Sequence, residues 1–283
     1  MIQGKTIAVE LDPPKTGDDR KTMSTVEQLQ AWGIDVITFA DSPGGNPRAD
    51  SVAMGIKVRN HYGIETIPHI CCRDQNKIGL RSRIMGGYLN GIRRFLFVTG
   101  DPVPSGKRDD VKAVFNCNSI SLMALAQELN ETIFTESPLV YGGAVNYDHR
   151  KVEVEAKRLG DKASFGATFF MTQPVYCEKD LEKVLTITGH TEAPVLLGLM
   201  PLLSKRNAFV IKEQIRGIAV PDDVVSKFTE GLSLEDTAAL SAEILRPIVE
   251  ASWNRVSGYY LVGQKNHLEP LCKTLEIIYN YSM

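Results

Sequence analysis

Helical stretches that end in glycine alternate along the chain with apolar, β-branched runs. Gly33, Gly63 and Gly91 each stand directly before such a run, about 30 residues apart, which is the size of one strand–helix unit. Glycine suits the end of a helix because it adopts a left-handed backbone conformation without steric cost. The pattern therefore predicts a repeated strand–helix unit.

Eight runs are predicted to be strands, with helical patterns between them. Alternating strands and helices imply parallel pairing with right-handed crossovers, and eight units predict an α/β fold, a single (β/α)8 TIM barrel. A doubly wound open sheet is the alternative, but it needs a Gly-rich turn after an early strand, where this chain has Asp12-Pro13-Pro14-Lys15. The predicted strands are Thr6–Leu11, Asp35–Ala40, Glu65–Ile70, Arg94–Thr99, Leu139–Ala144, Thr168–Thr172, Val195–Met200 and Gly258–Val262.

Two helices are predicted near the end of the sequence. The first covers Leu234–Val256, with Ser233 as its cap and an apolar stripe along one face. Pro247 should kink this helix, because proline cannot donate a backbone hydrogen bond. The second, Lys265–Tyr281, should close the barrel.

Composition adds limits to this picture. The 283 residues contain 43% hydrophobic and 23% charged residues, and neither a linker nor a shift in composition interrupts them, so residues 1–283 are expected to form one domain.

A formal net charge of -2 without charge runs argues against a nucleic-acid or anionic membrane partner. No apolar stretch is long enough to span a bilayer. Five cysteines without a secretion signal are expected to be reduced thiols, which predicts a cytoplasmic protein.

The active site of a parallel barrel lies at the carboxyl ends of its strands, and Glu10 is the most informative polar residue there. It interrupts the apolar run Ile7–Leu11, and a barrel strand has no solvated face. A desolvated carboxyl has a raised pKa and can act as a general acid near neutral pH. The other polar residues at predicted strand ends are Thr38, Asp41, His69, Asp101, Asn146 and Gln173.

Taken singly, these other residues have two interpretations. Asp101 precedes a proline and fits a turn as well as a functional carboxylate. Gln173 offers a donor and an acceptor to an amide-like ring edge, or caps a loop, and His69 alone is more typical of a core histidine. Cys71-Cys72 suggests zinc, but adjacent cysteines rarely chelate one metal and no Cys-x-x-Cys accompanies them. We therefore predict no metal site.

Five segments together resemble the methylenetetrahydrofolate reductase family in order and spacing, from about Thr6 to Tyr260. The variety most similar is the reductase domain that is fused to homocysteine methyltransferase in some bacteria. The segments are Val9-Glu10-Leu11-Asp12-Pro13-Pro14-Lys15, Pro68-His69-Ile70-Cys71-Cys72-Arg73-Asp74, Thr99-Gly100-Asp101-Pro102, Met171-Thr172-Gln173-Pro174-Val175-Tyr176 and Gly198-Leu199-Met200-Pro201-Leu202.

The resemblance implies a barrel that holds FAD at the strand ends. NADH or NADPH delivers a hydride to the flavin and leaves, and the flavin passes it to the methylene carbon of methylenetetrahydrofolate. Glu10 matches the acid that opens the substrate's five-membered ring to an iminium, Asp101 a carboxylate near flavin and pterin, and Gln173 a pterin contact. The implied flavin contacts are Thr38, His69, Asp101, Asn146 and Lys162.

The sequence departs from the family pattern at three places around the flavin phosphates and ribityl chain. Many relatives have Arg-Gly-Asp at Thr99-Gly100-Asp101, Tyr-Pro and His-Pro within Val145–His149, and Asn-Arg at Gly263-Gln264. FMN is therefore kept as the less favoured cofactor.

Two alternative functions come from other classes. One is a zinc-dependent methyltransferase acting on folate or homocysteine, which needs a third thiolate beside Cys71-Cys72. The other is a non-catalytic folate- or flavin-binding subunit of an electron-transfer complex, against which the joint presence of Glu10, Asp101 and Gln173 argues. A homo-oligomer and an electron-transfer or methyltransferase partner protein are left open.

Overall fold

Eight parallel strands close into a barrel in the computed structural model, which describes residues 4–148, 151–215, 217–264 and 267–281. Each strand pairs with the next in sequence, and the last pairs with the first. This confirms the predicted (β/α)8 barrel and shows that the open-sheet alternative is wrong. The strands are β1 Thr6–Leu11, β2 Val36–Phe39, β3 Glu65–Cys71, β4 Arg94–Val98, β5 Val140–Val145, β6 Phe169–Thr172, β7 Val195–Leu199 and β8 Gly258–Val262.

The helices surround the barrel and lie between successive strands. They are α1 Arg20–Ala31, α2 Ser51–Tyr62, α3 Lys77–Leu89, α4 Ser119–Thr132, α5 Val152–Ser164, α6 Glu178–Thr188, α7 Lys205–Gln214, α8 Asp222–Lys227, α9 Leu234–Ser252 and α10 Leu268–Tyr281. Short 3-10 turns at Pro43–Gly45 and Ser105–Lys107 lie in the loops after β2 and β4. Within the described segments, no helix is long and apolar enough to cross a membrane.

The start of α9 agrees with its prediction, whereas its end does not. The Ser233 hydroxyl accepts the Asp236 N–H at 3.0 Å, as a helix cap should. The helix runs through Pro247 and ends at Ser252, four residues before the predicted end. The chain then turns toward β8, where the Ser257 N–H donates to the Val195 carbonyl at 2.9 Å. The predicted kink at Pro247 stays a prediction.

The closing helix α10 begins at Leu268. The first two residues of its predicted span, Lys265 and Asn266, lie outside the described residues.

Apolar side chains fill the inside of the barrel and form its floor. Gly142 makes room for one of them, because a Cβ there would lie 2.4 Å from the Phe169 ring. Residues two positions further along a strand point to the same side, so the next inward-facing positions lie above this floor. The inner cluster consists of Ala8, Val36, Ile67, Leu96, Phe169, Met171, Leu196 and Tyr260.

Candidate active site at the carboxyl ends of the strands

Three polar side chains form the layer directly above the apolar floor. Glu10, Thr38 and His69 each follow an inner-cluster residue by two positions, on β1, β2 and β3. Glu10 pairs in register with Thr38. The alternation of the strands thus brings together three residues that are far apart in sequence.

Glu10 is largely shielded from solvent, with its side chain 16% exposed. The Tyr260 hydroxyl donates to Glu10 Oε2, and His69 Nδ1 lies 3.7 Å from the same oxygen. Burial raises the pKa of Glu10 to about 8, and the negative charge of Asp12 adds to the rise. Glu10 therefore carries a proton at neutral pH and can donate it.

Thr38 and His69 are buried, yet each has a polar atom with no hydrogen-bond partner among the residues that the structure describes. These atoms are Thr38 Oγ1 and His69 Nε2. Burial lowers the pKa of His69 to about 3, so its ring is neutral. An unsatisfied buried polar group costs about 1–3 kcal/mol. This cost is relieved if a ligand supplies the missing partner.

Asp101 lies at the exposed rim, in the loop after β4. Its Oδ2 accepts the Gly44 N–H at 3.1 Å, which ties this loop to the loop after β2. The preceding Gly100 has φ +92, and a Cβ there would lie 2.1 Å from Cys71 Sγ. Only glycine fits that position, so the backbone fixes where Asp101 stands.

Arg73 was not among the candidate residues of the sequence analysis, although it joins three loops of the mouth. Its side chain is 2% exposed. The guanidinium donates to both Asp74 oxygens, at 2.7 and 2.6 Å, to the Ser42 carbonyl at 3.0 Å and to the Asp101 carbonyl at 3.2 Å. An arginine between two cysteines and an aspartate was the available signal. The Ser42 and Asp101 carbonyls that it binds, however, belong to other loops.

Gln173 is the candidate that directly follows β6. It follows the inner-cluster residue Met171 by two positions and is half-buried. Its N–H donates to the Val145 carbonyl at 2.9 Å, which continues the strand pairing by one residue. Gln173 therefore extends the inner face of β6 above the floor, on the side away from Glu10's neighbours β2 and β8.

Lys162 and Asn146 stand apart from the Glu10 layer. Lys162 is buried on α5, its stem passes over Gly143, and its Nζ donates to the Ala144 carbonyl at 2.5 Å. Asn146 forms a local turn, with its Oδ1 accepting the Asp148 N–H at 3.1 Å. Both residues shape the end of β5. Val145–His149 is one of the segments in which the sequence departs from the family pattern, and its last residue, His149, lies outside the described residues.

The cysteines do not form the thiolate set that the zinc alternative requires. Burial raises the pKa of Cys71 to about 11 and that of Cys72 to about 12, so both are thiols when no metal is bound. All five cysteines are free. In the described part of the chain, no three His, Cys, Asp or Glu side chains are grouped as metal ligands.

Comparisons with known sequences agree with the geometry. The family model described as methylenetetrahydrofolate reductase matches residues 2–248, which confirms the resemblance found in the motifs and the oxidoreductase class. The 5,10-methylenetetrahydrofolate reductase of Salmonella typhimurium (strain LT2) is 24% identical over 216 residues, which cover 73% of this chain and 68% of that protein. The enzyme of the same name from Escherichia coli (strain K12) gives the same values.

Solved structures are similar in fold. An uncharacterised Clostridium thermocellum protein that binds two copies of 5-methyl-5,6,7,8-tetrahydrofolic acid superposes with a TM-score of 0.69 at 16% identity, covering 98% of this chain and 95% of that one. A 2,3-dimethylmalate lyase has a TM-score of 0.55 at 13% identity, covering 96% and 81%. At these identities the comparison concerns the barrel alone.

Proposed function

The chain belongs to the methylenetetrahydrofolate reductase family, and from this premise we propose that it reduces 5,10-methylenetetrahydrofolate to 5-methyltetrahydrofolate with a hydride that NADH or NADPH supplies through a bound flavin. The observation that carries the proposal is the buried Glu10 carboxyl, which accepts a hydrogen bond from Tyr260 in the layer above the barrel floor and whose pKa burial raises to about 8. Neither the zinc methyltransferase nor the non-catalytic subunit has a comparable observation in its favour.

Glu10 supplies the proton that the folate step needs. Opening the five-membered ring of the substrate breaks a carbon–nitrogen bond and leaves an iminium cation, so the departing ring nitrogen must gain a proton. Glu10 gives up that proton and becomes a carboxylate, which the Tyr260 hydroxyl continues to hydrogen-bond. General acid catalysis of this kind contributes about 10²–10⁴-fold.

Asp101 and Gln173 act on the substrate from the rim and from β6. The Asp101 carboxylate, fixed by Gly44 N–H, stabilises the positive charge of the iminium. Gln173 donates to and accepts from the pterin ring edge, as its amide allows. Both roles come from the family resemblance. They are supported by the position of Gln173 on the inner face of the barrel and by the hydrogen bond that fixes Asp101.

A flavin fits the unpartnered atoms of this layer. The polar edge of its ring system carries both donors and acceptors, which are what Thr38 Oγ1 and the neutral His69 Nε2 lack. When bound, the flavin accepts a hydride from the nicotinamide and delivers it to the methylene carbon. We favour FAD over FMN, with Asp101, Asn146 and Lys162 as further contacts taken from the resemblance.

The proposal extends to the whole chain and its environment. Residues 1–283 act as one flavin- and folate-binding barrel, since all eight strands contribute to one closed mouth. Five free cysteines suit a reducing cytoplasm.

Anaerobic stopped-flow with the purified protein tests the two halves separately. NADH or NADPH should bleach the visible flavin absorbance, and methylenetetrahydrofolate should restore it while 5-methyltetrahydrofolate accumulates in the quenched sample. If denatured protein releases no flavin and added FAD neither binds nor supports the reaction, the flavin proposal is wrong. If the flavin is reduced but folate leaves it reduced, the substrate proposal is wrong.

A further inference from the structure

A second carboxyl stands beside Glu10 and is held by an arginine. Asp12 comes two residues after Glu10, and residues so spaced on an extended chain point to the same side. Its side chain is 19% exposed, and its Oδ2 lies 2.9 Å from Nη2 of Arg48, whose side chain is 16% exposed. The ion pair is therefore largely shielded from solvent, unlike the surface pairs that contribute little.

Backbone contacts keep this ion pair in place. Arg48 Nη1 also donates to the Pro13 carbonyl at 3.4 Å, and the N–H of the next residue, Ala49, donates to the Pro14 carbonyl at 2.9 Å. The loop after β2 is thus joined to the loop after β1 at several points. These backbone contacts hold Arg48 near Asp12, and moving the Asp12 carboxyl away would break its ion pair with Arg48.

The other groups that face Glu10 carry no charge. His69 on β3 is neutral because burial lowers its pKa, and Tyr260 on β8 contributes a hydroxyl donor. Thr38, its register neighbour on β2, contributes a hydroxyl. In the part of the chain that the structure describes, Asp12 is the charged group that acts on Glu10.

We propose that Arg48 determines which of the two carboxyls carries the proton: it holds Asp12 as the carboxylate, so that the proton resides on Glu10. The inference rests on the proposed function, in which Glu10 is the acid. Arg48 and Asp12 are positioning residues, since they act on the reaction through Glu10.

The physical reason is that two neighbouring buried carboxyls do not both ionise readily and instead share a proton. Burial raises the pKa of Asp12 as well, and Arg48 and then Lys15 oppose that rise. An arginine stays charged in proteins, so its contact to Asp12 favours the ionised form there. The remaining proton then has its lowest free energy on Glu10.

The test is a carboxyl titration that needs no turnover, by ¹³C NMR of protein labelled at the Asp and Glu carboxyls. The Glu10 signal is assigned by its loss in Glu10→Gln and the Asp12 signal by its loss in Asp12→Asn. In Asp12→Asn the Glu10 midpoint should fall by about one pH unit or more, because an adjacent like charge is gone. In Arg48→Met the Asp12 midpoint should rise toward that of Glu10, so that the two carboxyls share the proton.

Arg48→Lys is the matched control, because it keeps the positive charge and changes the hydrogen-bond geometry. It should keep the wild-type order of titration. An unchanged Glu10 midpoint in Asp12→Asn overturns the inference, and so does an unchanged Asp12 midpoint in Arg48→Met, which would make Arg48 a structural clamp only. Asp12→Asn leaves Arg48 intact, so its titration tests the inference even if Arg48→Met does not fold.

The same variants in the folate half-reaction separate this inference from the proposed function. Asp12→Asn should move the alkaline limit of folate reduction to lower pH, in step with its Glu10 midpoint. If the titrations change as expected but the wild type reduces no folate, the proposed function fails and the placement of the proton stands. If folate is reduced but the midpoints do not move, only the placement of the proton is wrong.

Discussion

Two levels of the barrel mouth satisfy their polar groups in opposite ways. In the layer directly above the floor, on β1, β2 and β3, Glu10 is held neutral by burial, and Thr38 and His69 each keep an unpartnered polar atom. In the loops above this layer, Arg73 donates to two carbonyls and a carboxylate, and Asp101 accepts a backbone N–H. The partnered groups hold the loops together, whereas the unpartnered atoms lack a partner that a ligand can supply. We therefore expect the ligand to meet the lower layer.

The largest expected effect is that of Glu10→Gln on the folate half-reaction. The amide cannot donate the proton, so reduction of methylenetetrahydrofolate should fall by about 10²–10⁴-fold. Flavin reduction by NADH or NADPH should stay near wild type, because that step needs no proton donor to a substrate ring. Anaerobic stopped-flow separates the two rates. Equal slowing of both would mean that Glu10 positions the flavin or supports the fold.

Asp101→Asn tests whether the rim contributes charge as well as structure. The variant should bind flavin but reduce folate more slowly by about 2–4 kcal/mol of activation free energy, as when one preorganised group is removed. Asp74→Asn is the control, since Asp74 also contacts Arg73 but should leave the folate rate near wild type. If Asp101→Asn is as fast as wild type, Asp101 only holds the loops together. If the variant slows flavin reduction as much as folate reduction, Asp101 positions the flavin and does not act on the iminium.

The raised pKa of Glu10 also makes stability depend on pH. The folded protein binds this proton more tightly than the unfolded chain, so the stabilisation is complete below about pH 4.5 and is lost as pH rises toward 8. The pKa of His69 is lowered to about 3, so His69 makes stability depend on pH only below pH 6.5. The pH dependence between pH 6.5 and 8 is therefore assigned to Glu10. Over that window the wild type should lose about 2 kcal/mol relative to Glu10→Gln.

Urea unfolding of both proteins at the two pH values measures this difference. Glu182→Gln is the control, because Glu182 pairs with Arg255 at the surface and its pKa is lowered. That variant should show no divergence from wild type between pH 6.5 and 8. Parallel stability curves for Glu10→Gln and wild type would contradict a buried, protonated Glu10.

The smallest effect compares an unpartnered hydroxyl with a partnered one. Thr38→Val removes a buried hydroxyl without a partner and should leave the flavin-free protein as stable or more stable, while flavin binds about 5-fold more weakly, or about 1 kcal/mol. Ser51→Ala removes a hydroxyl that donates to the His69 carbonyl at 2.6 Å and accepts from Arg83 at 2.9 Å. It should destabilise the protein by about 1–2 kcal/mol.

Thermal unfolding and flavin titration of these two variants give the answer. A Thr38→Val variant that is destabilised as much as Ser51→Ala, with unchanged flavin affinity, would show that Thr38 is an ordinary core residue.

The sequence predicts the strands to within one residue at either end, because each is a short, mainly apolar run and several follow a glycine-terminated helix. The end of α9 is less predictable, since it depends on tertiary contacts. Trp253 stacks on Tyr259 with ring centroids 6.0 Å apart, and this packing directs the chain into β8. The helical pattern in residues 253–256 does not reveal that Trp253 packs against Tyr259, so it predicts too late an end for α9.

The sequence predicts Glu10 as a site residue because a carboxylate inside a barrel strand is unusual, but it does not predict the surroundings of Glu10. Tyr260 lies in an apolar run and is indistinguishable there from core, and only the closure of the barrel brings it to Glu10. Arg48 lies in the loop after β2, and its partner Asp12 lies in the loop after β1. Such contacts depend on the relative placement of different loops, which local pattern does not encode.

The pairing of β1 with β8 has a consequence for the synthesis of the protein on the ribosome. Glu10 and Tyr260 are 250 residues apart, and at synthesis rates of about 5–20 residues per second the ribosome needs roughly 12–50 seconds to make that interval. Throughout this time the edge of β1 that β8 will cover is unpaired, and such an edge invites pairing with other chains. The first strand of the barrel therefore keeps one open edge until β8 has emerged.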